Sequence, residues 1–286
     1  MRLILLKPPK SAWRPKINLS EFKTILANSS ILSLAQFLQI TVVSLGAILV
    51  NRYFGVAVLG NYRAAFDLGS KIWFFSNSIG LIVFPKFSQL LSIRKERESL
   101  YKKMSLWLEK SWAGYLLISL LAIICASWLL PLIKLGDTQI VTFFKLLIVG
   151  LCLNAHTNIS YEYLLADNRY GAVALLSLAV LILLCLSYFT LVEIAGPYAI
   201  GWAWIVSQSL YAFAADELVM RNGSVTAGSR TKQLFLKVLI FLMTAFCLFA
   251  GLDLLPVHIF YPAVLVLAAG LFILLKDIKE LRLFLR

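Results

Sequence analysis

Arg63, Asp67 and Lys71 recur at spacings of four, so a helix would carry all three on one face. They lie in an otherwise apolar stretch, and charges inside a bilayer are costly unless they face protein or a water-filled cavity. Two chemistries fit. Asp67 and Lys71 could neutralise each other as an ion pair with Arg63 at the outer interface, or the cations could hold an anionic group. In a later apolar stretch Thr142, Lys145, Cys152 and His156 share a helical stripe, with Asn154 and Asn158 beside it. Lys145 either snorkels to the outer surface or joins Lys71. Counted from the outer ends of their spans both lie about 10 Å deep, and two ammonium groups at matching depth would suit a phosphate. His156 fits a hydrogen-bonded core residue. Gln36 and Gln39, with Ser33, Thr41 and Ser44, either line a hydrophilic path or bond between helices.

Other chemistry is missing. Asp67 is the one carboxylate placed well within a predicted span; there is no Walker sequence and no HExxH, and the histidines are His156 and His258 alone. A membrane enzyme acting on phosphates needs a metal-binding acid cluster or a positioned base. The expectation is therefore a non-enzyme with no metal and no cofactor. The four cysteines, Cys125, Cys152, Cys185 and Cys247, sit in apolar runs without ligand spacing and read as small core residues.

The elements that must position these residues are membrane helices. Of 286 residues 60% are hydrophobic, and the mean hydropathy is +0.85, which excludes an ordinary soluble domain. The net charge of +13 is concentrated between apolar runs, so it marks loops at a membrane surface and not a nucleic-acid interface. Runs long enough to cross a core of about 30 Å predict an all-α polytopic bundle of eight spans, at 31–50, 64–84, 112–133, 139–159, 172–191, 198–215, 234–252 and 256–275. Most Lys and Arg fall on one side, which predicts that both termini are cytoplasmic in a multi-pass protein of the inner membrane. The organisation expected is a basic lead-in (1–28), a six-helix lobe (29–220), a Gly- and Ser-rich linker (221–233) and a final helix pair with a basic tail (234–286). Leu90, Leu91, Ile93, Leu100, Met104, Leu106, Trp107 and Leu108, mixed with charges between 86 and 111, predict an amphipathic helix on the inner leaflet. Trp73, Trp112, Trp128, Trp202 and Trp204 read as interface belt and packing more than as a platform for sugars.

Three segments carry a family resemblance: NRYFGVAVLGNYRAA (51–65), LIVFPKFSQL (81–90) and, more loosely, YLLADNRYGAVALL (163–176) followed by AGPYAIGWAWIVSQS (195–209). They resemble the polysaccharide and O-antigen flippases of the multidrug, oligosaccharidyl-lipid and polysaccharide exporter superfamily. Members have two lobes of six helices, sometimes with two added spans, and this chain resembles a C-terminal lobe with that added pair. The resemblance implies movement of a polyprenyl-linked oligosaccharide across the cytoplasmic membrane for polysaccharide or lipopolysaccharide biosynthesis. It also implies that Lys71, Lys145 and Arg63 are candidates for binding its phosphates. A half-length or truncated form would need a second lobe, as a homodimer or a separate chain. A non-transporting membrane scaffold or degenerate remnant is the competing reading, and a polyprenyl-linked sugar enzyme such as a polymerase ranks behind both.

Overall fold

The computed structural model describes residues 19–220, apart from the side chains at 94–99, 102 and 105. The linker and the last two expected spans lie outside the described residues. Six helices follow in order: α1 (Leu19–Gly69), α2 (Ile72–Ser92), α3 (Arg94–Leu132), α4 (Thr138–Ala166), α5 (Tyr170–Ala195) and α6 (Ala199–Met220), with a 3-10 turn, Gly196–Tyr198, between the last two. No strand occurs among the described residues. Helix is the form a chain this apolar must take in lipid, because each backbone N–H and C=O then bonds within its own segment. Four helical stretches, Leu19–Ser92, Leu106–Leu132, Thr138–Ala166 and Tyr170–Met220, are long and apolar enough to cross a membrane.

Two of those stretches reverse direction at a glycine. Gly55 has φ 82° inside α1, a backbone region that a residue with a Cβ rarely adopts. A Cβ added at Gly46 would come within 2.5 Å of the Tyr62 hydroxyl, whereas an unbroken helix would hold these residues about 24 Å apart. The arms of α1 on either side of Gly55 therefore form a hairpin. Gly196, at φ 54°, turns the chain between α5 and α6. Between α3 and α4 Asp137 caps the new helix, its Oδ1 accepting from the Gln139 N–H at 2.7 Å.

Helix α4 is the centre of the lobe, packed against α1, α2, α3 and α6. Its neighbours run in register with it. Asn61 donates to Gln139 at 2.6 Å, Ser76 to the Ala155 carbonyl at 2.6 Å, and Asn158 to Asn77 at 2.9 Å, so α2 descends parallel to α4. A Cβ at Gly201 would lie 2.7 Å from Leu146 Cβ, and one at Gly150 would lie 3.2 Å from the Trp204 backbone. These two glycines bring α4 and α6 together almost backbone to backbone, the use to which small residues are put between membrane helices. Ile148, Leu147, Phe143, Ile200, Ala203 and Trp204 are buried in the core that results. The outward faces carry Phe37, Phe74, Phe75, Leu81, Leu175, Ile182 and Leu186, exposed as lipid contact requires.

Two expectations are corrected. The segment 86–111 is not a separate helix on the inner leaflet: up to Ser92 it continues α2, and from Arg94 it is the first part of α3. Its apolar positions Leu100, Met104 and Leu108 are buried with Phe87, Leu91, Tyr163 and Val219 in a second cluster at the end of the lobe, because spacing by four serves a protein face as well as a lipid one. The stripe Arg63–Asp67–Lys71 is also interrupted. Helix α1 ends at Gly69, and Lys71 stands at the N-cap of α2, in a tight turn where its N–H bonds the Leu68 carbonyl at 3.3 Å.

Replacing Gly201 by leucine should force α6 off α4 and cost about 1–3 kcal/mol or more, lowering the melting temperature of purified protein. Gly60→Leu, where an added Cβ meets nothing within 4 Å, should melt near the wild-type temperature.

Candidate functional site

A cavity of about 310 Å³, lined by apolar and polar side chains, opens between α1, α2, α4, α5 and α6. The polar part of its wall is built chiefly from amides that bridge neighbouring helices. Gln39 Nε2 on α1 reaches Ser177 Oγ on α5 at 3.5 Å, Asn158 Nδ2 on α4 donates to Asn77 Oδ1 on α2, and Asn154 Nδ2 on α4 donates to Gln208 Oε1 on α6 at 3.1 Å. Each carboxamide has two N–H donors and an oxygen with two lone pairs, so a single bridge leaves most of that capacity facing the cavity. Tyr161, Tyr211, Trp73 and Trp204 add aromatic surface and Ile40, Val42, Val43 and Val180 aliphatic surface, and no Asp, Glu, Lys, Arg or His is among the lining residues. The indole N–H groups of Trp73 and Trp204 are buried without an acceptor among the described residues. Trp204 is 1% exposed, so its N–H is turned into the protein and its ring, not its donor, borders the cavity.

The predicted residues separate around this cavity. Gln39 lines it, while Gln36 is exposed on α1 away from the lining set. Arg63, Asp67 and Lys71 are all exposed, and Asp67 makes no ion pair with Arg63 or Lys71; the self-neutralising pair is absent. Ser70 Oγ instead donates to the Asp67 carbonyl at 3.0 Å, at the interruption that parts Lys71 from the helix. Lys145 is only 7% exposed, so it does not snorkel, and it does not line the cavity. The α2–α4 register, with Ser76 opposite Ala155, puts Lys71 level with Gly150. Lys145, five residues earlier, therefore sits about 7 Å nearer the N-terminal end of α4, and the two lysines do not share a depth.

A second polar centre was not visible in the sequence. Asp216, on the last turns of α6 and fully buried, accepts from Trp112 Nε1 at 2.8 Å, from His156 Nε2 at 2.9 Å and from Ser160 Oγ. Ser111 Oγ meets the other histidine nitrogen, Nδ1, at 2.8 Å, and the Trp112 and His156 rings lie 4.4 Å apart between centroids. Both ring nitrogens of His156 thus have a side-chain partner. The network ties α3, α4 and α6 at one point. Trp112 and Trp204, expected as belt or general packing, are instead a donor in this network and a wall of the cavity.

Fold and site together define a polytopic helical membrane protein with an uncharged cavity, part amide and part apolar, opening between its helices. A family model described as polysaccharide biosynthesis protein matches residues 4–109, which is consistent with the resemblance to polysaccharide and O-antigen flippases. The match covers α1, α2 and the stripe from Arg63 to Lys71. No curated protein and no solved structure matches.

Removing the acceptor of the second centre should unpair three donors at once. Asp216→Leu should lower folded yield sharply, in line with the roughly 3–5 kcal/mol of a broken buried charge network, while Asp216→Asn, which keeps one acceptor oxygen, should lose less. Size-exclusion yield in mild detergent measures both; equal, wild-type yields would show that the network does not hold the helices.

Proposed function

We propose that the protein is a flippase-type transporter that moves lipid-linked sugar precursors across the cytoplasmic membrane for polysaccharide biosynthesis. The observation that carries this reading is the cavity: amides, hydroxyls and aromatic rings between helices long and apolar enough to cross a membrane match the hydroxyl groups and ring faces of a sugar, and they have no counterpart in lipid tails. Participation in polysaccharide biosynthesis is what the family match supports. On this reading the chain performs no covalent chemistry. The sugar is lowered into the amide-lined cavity, its desolvation offset by hydrogen bonds.

The diphosphate belongs elsewhere, since the cavity holds no cation. Lys71 and Arg63 are exposed on the lobe's flank, and Lys71 is level with the middle of α4. A bare ammonium at that depth is costly against lipid. A second lobe, contributed by a homodimer or a separate chain, would cover the flank and enclose Lys71 with the phosphates. Lys145 is reassigned to the interior of the lobe. Orientation with both termini in the cytoplasm follows from the loop charges.

The reading is tested by complementing a flippase-deficient strain and measuring surface polysaccharide beside protein abundance. Lys71→Gln should reduce polysaccharide at least tenfold with normal abundance, and Lys71→Arg should keep part of it because the charge survives. Lys145→Gln should act through abundance, as a change to a buried group does. A Lys71→Gln variant with full complementation would contradict the assignment of the phosphates.

A further inference from the structure

We infer that the cavity selects an uncharged sugar and rejects an acidic one, so that the lipid-linked substrate presents a neutral or N-acetylated pyranose to Asn77, Asn158, Gln208 and Trp73. This rests on the transport reading and narrows its substrate class. A volume of about 310 Å³ is at the low end of small-molecule pockets, roughly 300–1,000 Å³, and suits a single sugar residue better than an oligosaccharide.

The selectivity follows from what the wall offers. Asn77, Asn158, Asn154 and Gln208 present both donors and acceptors, and the Tyr161 and Tyr211 side chains stand in the same wall. A hydroxyl both donates and accepts, so it can use every one of these groups. A uronic-acid carboxylate accepts only. It would leave the amide oxygens facing an anion and would enter a site at membrane depth with no lysine, arginine or histidine in its wall. Burying a charge without a partner is far costlier than burying a hydroxyl that is hydrogen-bonded.

Trp73 and Trp204 are also reporters. Purified full-length protein in nanodiscs is titrated with a short-chain polyprenyl diphosphate bearing N-acetylglucosamine, the same lipid bearing glucuronic acid, and the lipid diphosphate alone, while tryptophan emission is followed. The N-acetylglucosamine lipid should shift the emission and bind at least tenfold more tightly than the glucuronic acid lipid. Trp73→Phe and Gln208→Leu should each weaken it by tenfold or more. Asn77→Lys, at an exposed position on the rim, should reverse the order of preference by supplying the missing cation. Equal affinity for the neutral and acidic lipids would overturn the selectivity and leave the transport reading standing. A bare diphosphate lipid that binds as tightly as its N-acetylglucosamine form would remove the sugar from the cavity. Binding of none of the three would overturn both readings.

Discussion

The close approach of α4 and α6 at Gly150 and Gly201 is the constraint from which the rest of the lobe follows. With Leu146 seated on Gly201 and Gly150 on the Trp204 backbone, the two helices are locked in one register. That register sets Asn154 opposite Gln208 and His156 and Ser160 opposite Asp216. A shift of one residue along either helix would rotate those polar partners apart by about 100°. In lipid there is no water to satisfy them. The glycines thus decide where the polar side chains meet, and the polar side chains penalise every other register.

Two polar centres result, with different characters. The network around Asp216 is closed: its carboxylate, on α6, takes donors from α3 and α4, and its histidine has a partner at each ring nitrogen. The cavity is open: its bridges spend one donor or acceptor per amide. A closed network holds helices in place, whereas an open one can exchange partners with a ligand. The assignment of substrate to the cavity, and of structure to the Asp216 centre, rests on that difference.

The sequence made some of this legible. Apolar runs of about 20 residues identify the crossings, since helix length must match bilayer thickness. The polar first span is explained by Gln39 and Ser177, and the expected hydrogen-bonded core histidine is His156. What could not be read was three-dimensional pairing. Asp216 lies one residue beyond the predicted end of its span, so a hydropathy boundary moved it to the surface; the usable signal was His156 and Ser160 four apart, on a face needing an acid. Lys71 and Lys145 were set at one depth by counting from span ends, but the chain turns at Gly55 and breaks again at Ser70, and these interruptions move the count. The face of Leu100, Met104 and Leu108 has the same period whether it meets lipid or protein, so periodicity alone could not choose.

The most direct test of the transport account is made in inside-out vesicles from cells expressing the chain, where any partner lobe is also present. A lipid-linked N-acetylglucosamine carrying a fluorophore on the sugar is supplied at the outer, cytoplasmic face, and its protection from an impermeant quencher is followed with time. The account predicts protected fluorescence that rises faster than in vesicles lacking the chain and that Lys71→Gln abolishes. Identical protection in vesicles with and without the chain would contradict it.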